Sequence, residues 1–106
     1  MAVRKSWRNE RMVYKRIDNN QTQIVKALRD MGCTVEHLHA IGKGVPDIIV
    51  GFKARNFLLE IKDGDKKVLT PDQVNWHRLW GGQVNVVTNI DNAKTLIWKL
   101  SDEYRS

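Results

Sequence analysis

The chain has 106 residues, a single Cys, and 18 Lys and Arg against 12 Asp and Glu for a net charge of +6. That length suits one domain with one packed core, and 42% apolar with 28% charged residues excludes a disordered tract. A lone Cys33 excludes an internal disulfide and fits a reducing cytoplasm. No apolar run approaches a membrane span and residues 1–16 lack a secretory signal's apolar stretch, so a cytoplasmic location with no membrane partner is expected.

The charge is uneven. Residues 1–17 hold six basic side chains against Glu10, a balance of +5, whereas residues 18–106 hold 12 basic and 11 acidic groups. A basic arm carrying Lys5, Trp7, Arg8 and Arg11 suits phosphate contact with base or sugar stacking, and otherwise a solvated tail. The chain thus divides into an arm over residues 1–17 and a domain over residues 18–106.

In that domain Asp18 and Gln21 form a capping-box pattern, followed by Ile24, Val25, Leu28 and Met31 at helical spacing, with Gly32 as the stop. Residues 34–40 alternate as a strand, and Ile41-Gly42-Lys43-Gly44 is a loop. Residues 47–52 and 57–61 are apolar runs joined by Lys53-Ala54-Arg55-Asn56, the best hairpin candidate. Being apolar on both faces, they are expected at the sheet centre, covered on each side. Thr70-Pro71-Asp72-Gln73 is a helix start with cap, first-turn Pro and capping box, and Gly81-Gly82 ends that helix. Residues 83–87 alternate as a further strand, and Ile90, Ala93, Leu96, Ile97, Leu100 and Tyr104 define a last amphipathic helix. The order of helix, three strands, helix, strand, helix predicts an α/β domain with a mixed sheet.

Polar residues interrupt the apolar strands at Asp47, Glu60 and Lys62. Pairing Lys53 with Asn56 sets Phe52 against Phe57, Val50 against Leu59, Ile48 against Ile61 and Asp47 against Lys62. Opposed residues share a face, so Asp47, Glu60 and Lys62 converge while Ile48, Val50, Leu59 and Ile61 form core. Read from the residues alone, the cluster is either a divalent-metal site for Mg²⁺ or Mn²⁺ or an ion pair at strand ends.

Gly44-Val45-Pro46-Asp47, twelve further residues, then Glu60-Ile61-Lys62 resembles the PD-(D/E)XK nuclease signature. With Gly42-Lys43 before it, Ile48-Ile49-Val50-Gly51 after it, Leu59 and Asp63 flanking the second motif, Leu69-Thr70-Pro71-Asp72-Gln73 and Trp80-Gly81-Gly82, the ordered set resembles the virus-type replication-repair nuclease domain, VRR-NUC, over residues 18–88. The resemblance implies a restriction-endonuclease-like α/β fold: a mixed central sheet flanked by helices. It implies Mg²⁺-dependent hydrolysis of DNA phosphodiesters by metal-activated water, with Asp47 and Glu60 as metal ligands, the Ile61 carbonyl as a further ligand, and Lys62 as the catalytic lysine. It also implies a homodimer acting on branched DNA such as four-way junctions or flaps, encoded by a phage or bacterium. Symmetry would let one active site per chain cut two strands.

Gln21 stands where the wider superfamily often has a Glu aimed at the metal, and is either a rim residue of that site or a capping-box member. Gln73 likewise belongs to the active-site rim or to its own capping box. Lys43, Lys66 and Lys67 are placed to touch DNA phosphates, or to be solvated surface. Cys33, His37 and His39 are one short of the four ligands zinc takes and read as strand residues. Trp76, Trp80 and Trp98 fall at helical positions and read as core or dimer contacts before base stacking. The rival functions are a non-catalytic DNA-binding module on the same fold, and a nuclease acting on RNA or on specific duplex sequences.

Overall fold

A computed structural model describes residues 19–64 and 68–103. The basic arm with Lys5, Trp7, Arg8 and Arg11, the cap residue Asp18, the loop cations Lys66 and Lys67, and Tyr104 lie outside the described residues. The elements run α1 (Asn19–Asp30), β1 (Thr34–His37), β2 (Ile48–Phe52), β3 (Arg55–Ile61), α2 (Pro71–Leu79), β4 (Asn85–Val87) and α3 (Ile90–Glu103). The sheet order is β1-β2-β3-β4, antiparallel except for the parallel β3–β4 pair. This is the mixed α/β sheet expected, with the two most apolar strands at its centre. Among the described residues no helix is long and apolar enough to cross a membrane.

One face of the sheet makes the core. Val35, Ile48, Val50, Phe57, Leu59, Ile61 and Val87 all point to it and are buried. Ile24, Val25 and Leu28 of α1 and Ala93 and Ile97 of α3 pack onto them, each large aliphatic side chain contributing about 1.5–3 kcal/mol by leaving water. Helix α1 ends in a Schellman motif: Gly32 at φ +108 allows its own N–H to reach Arg29 O and that of Cys33 to reach Leu28 O, both at 3.0 Å. Helix α3 starts on a reciprocal cap, Asn92 N–H to Asn89 Oδ1 at 2.8 Å and Asn89 N–H to Asn92 Oδ1 at 3.2 Å.

The second face departs from the expectation of two covered sides. Ile49 and Leu58 there are only half-buried, and α2, the element nearest this face, has no buried residue. Trp80 and Trp98, expected as core or dimer contacts, are 45% and 42% exposed and so are not core. Trp98 packs against the edge of Phe52 at 5.1 Å and under the Lys53 ammonium at 4.3 Å.

The hairpin register also differs. Ile48 pairs with Leu59, Val50 with Phe57 and Phe52 with Arg55, two residues away from the expected pairing. The connection is the two-residue turn Lys53-Ala54, both residues left-handed at φ +53 and +63. That is a type I′ turn, whose twist matches the strands it joins; Arg55 and Asn56 therefore extend the ladder instead of looping out. A slip of two residues leaves every side chain on its own face, because the strand period is two.

Two strands are shorter than the alternation predicts. β1 stops at His37 because the chain turns away after the Leu38 N–H bond to Asp47 O (2.8 Å), entering a loop closed by Ile41 N–H to Leu38 O. β4 starts at Asn85 because the side chain of Gln83 replaces a strand partner: its Nε2 donates to Leu58 O at 2.9 Å and its Oε1 accepts from Leu58 N–H at 2.8 Å.

Candidate active site at the β2–β3 strand ends

Continuing the observed register by one residue sets Asp47 opposite Glu60, with Lys62 as the diagonal neighbour, in place of the expected Asp47–Lys62 pair. The three still converge, for the parity reason just given. Asp47 Oδ2 accepts from the Ile61 N–H at 2.7 Å, which ties the end of β2 to β3 and fixes the aspartate's orientation. Glu60 is 1% exposed. Burial, first, and then the adjoining Asp47 carboxylate push the Glu60 carboxyl up to about 9. The Lys62 ammonium, 3.9 Å from Glu60 Oε2, pulls the other way and does not offset the burial.

Gln73 organises the rest. Its Oε1 accepts from Lys62 Nζ at 2.7 Å and from its capping partner Thr70 N–H at 2.9 Å, while its Nε2 donates to Glu60 Oε2 at 3.1 Å. Thr70 Oγ1 in turn accepts from Gln73 N–H at 3.2 Å, completing the capping box. The two roles left open for Gln73 in the sequence are thus occupied at once, because its two amide heteroatoms and its backbone serve different partners. Lys62 is threaded further: its N–H bonds Val87 O at 3.0 Å, and Asn20 Nδ2 of α1 reaches both Lys62 O and Thr88 O at 3.2 Å.

Glu60 Oε1 is buried and meets no hydrogen-bond donor among the described residues. A buried carboxylate oxygen without a donor, beside a second carboxylate, is a set of hard oxygen atoms suited to a divalent cation. Among the described residues no three His, Cys, Asp or Glu side chains gather to hold a metal. Two carboxylates and a backbone carbonyl are enough for Mg²⁺, which keeps several waters.

Two further candidates, Gln21 and Lys43, are among the described residues. Gln21 of α1 is 5% exposed and its Nε2 lies 3.1 Å from His37 Nδ1 on β1. His37 is held below the usual histidine range by burial first, then by His39 and Arg29, against the opposing pull of Glu36 and Asp47. His37 and His39 stand edge to face at 5.9 Å, and β1 ends before His39. Lys43 sits in the loop ahead of Asp47, left-handed at φ +58.

Sequence reasoning missed Asn20 and His77, and took His37 as a strand residue without its contact to Gln21. His77 lies four residues after Gln73 and so on the same stripe of α2. Its Nε2 is buried with no partner among the described residues, and burial, then Lys62, hold its pKa down. The i, i+4 spacing from Gln73 was the available signal.

No family model and no curated protein matches the chain. Among solved structures, the chain is similar to one described as "VRR_NUC domain": 26% identity over 73% of this chain and 88% of the other, with a TM-score of 0.59. Taken with the mixed four-stranded sheet and three helices of the described residues, the likeness gives the chain a VRR-NUC-like, restriction-endonuclease-like α/β fold, which is a nuclease fold.

Proposed function

We propose that the chain is a metal-dependent endodeoxyribonuclease that hydrolyses DNA phosphodiester bonds. The observation that carries this reading is the buried Glu60 carboxyl beside the half-buried Asp47, with one Glu60 oxygen lacking a donor among the described residues and a lysine held beside it. Asp47 and Glu60 would hold Mg²⁺, with the Ile61 carbonyl as a further ligand and Gln21 at the rim. A divalent cation in such a site polarises a phosphoryl oxygen and lowers the pKa of a bound water.

The chain's own contribution is positioning and charge. With one N–H given to Gln73, Lys62 retains two for a phosphoryl oxygen, where its charge stabilises the negative charge that develops during hydrolysis. Gln73 fixes Lys62 and Glu60 relative to each other, so the amine stays aimed at the carboxylate pair. Lys43 in the loop before Asp47, with Lys66, Lys67 and the arm residues Lys5, Arg8 and Arg11, would bind flanking phosphates, and Trp7 would stack on a base or sugar. A homodimer would present two such sites to opposite strands of a branched duplex, which makes four-way junctions and flaps the preferred substrates.

The test is a panel of linear duplex, single strand, flap, four-way junction and RNA, each with Mg²⁺ and with EDTA. Cleavage is expected on branched DNA with Mg²⁺ only, and Lys62→Ala is expected to slow it by about 10²–10³-fold. Undiminished cleavage by the purified Lys62→Ala protein would remove this reading.

A further inference from the structure

We propose that a shelf on the outer face of α2, formed by Lys43, Asp72, Asn75, Trp76, Leu79 and Trp80, holds one unpaired nucleobase of the strand whose phosphate lies at the Asp47–Glu60 site. The inference rests on the nuclease reading and names the substrate feature that the enzyme selects.

Helix α2 carries two functions on adjacent stripes. Gln73 and His77 form the stripe beside Lys62. Asp72, Asn75, Trp76 and Leu79 are at i, i+3, i+4 and i+7, the neighbouring stripe, about 100° around the helix. A base on the second stripe therefore sits next to a phosphate on the first.

The loop that delivers Asp47 also builds the shelf. Gly42, Lys43 and Gly44 are all left-handed, at φ +72, +58 and +85. A Cβ on Gly44 would run into the Asp72 carbonyl and the Gln73 amide, so only glycine lets this loop close onto the first turn of α2. That closure sets Lys43, in a conformation costly for a residue with a side chain, at the shelf's edge.

The platform is preorganised. The Trp76 and Trp80 rings are stacked, 4.7 Å apart and 18° from parallel. Trp80 Nε1 is anchored to Gln83 O at 3.2 Å, yet Trp80 remains 45% exposed and Leu79 71% exposed. Exposed indole held flat is a stacking surface for a base. The rim supplies complementary polar groups. Asn75 Oδ1 accepts from Arg78 Nη2 at 2.9 Å, which leaves Asn75 Nδ2 as a donor; the Asp72 carboxylate is an acceptor and Lys43 a cation. Acceptor, donor, cation and aromatic face match a base edge, a base plane and a phosphate. The concavity of about 190 Å³ has room for one flat heterocycle. A paired base is shielded within its stack, so the shelf admits only a nucleotide that is already unpaired or easily unstacked.

The full-length chain would be titrated in EDTA with two duplexes carrying 2-aminopurine at one position, once unpaired and once paired. The unpaired probe is expected to bind about tenfold more tightly, with its fluorescence quenched on the indole. Trp80→Ala and Asp72→Ala, which removes the acceptor, should each largely erase that ratio, and Trp80→Phe, which keeps an aromatic ring, should retain it. Equal affinities in the unsubstituted protein, or a ratio that survives either Trp80→Ala or Asp72→Ala, would overturn the proposal. So would a dimer that Trp80→Ala converts to monomer with no base preference in either form, since a second copy would then cover the face. Cleavage of the Mg²⁺ panel without base preference would sink the shelf alone. Base preference without cleavage of any substrate would uphold the shelf and sink the nuclease reading alone.

Discussion

Glu60 is a carboxyl group whose folded environment favours the proton. Its pKa of about 9 lies above the ordinary 4.5, so between those values the folded chain binds more protons at this site than the unfolded chain. Stability from this group is therefore fully present below about pH 4.5 and is lost as pH rises toward 9, at up to about 1.4 kcal/mol per pH unit. Urea unfolding in EDTA is expected to show a lower midpoint at pH 8 than at pH 6, and Glu60→Gln should flatten that dependence. Mg²⁺ should reverse it in the unsubstituted protein, because a cation displaces the proton and binds more tightly as pH rises. Gln73 belongs to the same cluster. Its side chain is committed to Lys62, Glu60 and Thr70 together, a convergence that neither the capping motif nor the family likeness states by itself.

The β2–β3 hairpin has an unusual turn for its geometry. A type I′ turn needs two left-handed residues and ordinarily recruits Asn and Gly, whereas here Lys53 and Ala54 adopt φ +53 and +63. Left-handed backbone costs a residue with a Cβ about 1–2 kcal/mol, and glycine gives back about 0.5–1 kcal/mol as unfolded-state entropy. Ala54→Gly should therefore raise the unfolding free energy by about 0.5–1 kcal/mol, read in chemical denaturation. Cleavage should not change, because the turn lies at the far end of the hairpin from Asp47. The absence of an Asn-Gly or Asp-Gly pair is also why the turn's length was not legible: with no turn signature, Lys53-Ala54-Arg55-Asn56 reads as one polar connection. The short ends of β1 and β4 were hidden for a related reason. A side chain such as that of Gln83 can take a ladder position, and alternation does not distinguish that from a strand.

For the whole molecule, charge is the property that reaches beyond the fold. Five of the six net positive charges lie in residues 1–17, ahead of the described domain. If that arm neutralises phosphates, each contact contributes about 0.9 to the slope of log affinity against log salt on duplex DNA. Removing residues 1–17 is expected to flatten that slope and weaken binding at low salt, measured by fluorescence anisotropy across a salt series, while the intact domain retains its melting transition. An unchanged slope would place the phosphate contacts within the domain instead.

Much of this protein is settled locally along the chain. Helical periodicity from Ile24 to Met31 and from Ile90 to Leu100, the Thr70-Pro71-Asp72-Gln73 start, and two apolar strands interrupted by Asp47, Glu60 and Lys62 fix the element order, the buried face and the three polar residues that meet. Strand parity alone guaranteed that meeting, so it survived a two-residue error in pairing. Tertiary packing decided the rest: that Asp47 faces Glu60, that Gln73 spans Lys62 and Glu60, that Gln21 finds His37, and that Trp80 lies open on α2. Those outcomes depend on which segments approach one another and how completely water is excluded between them, and periodicity carries no such distances.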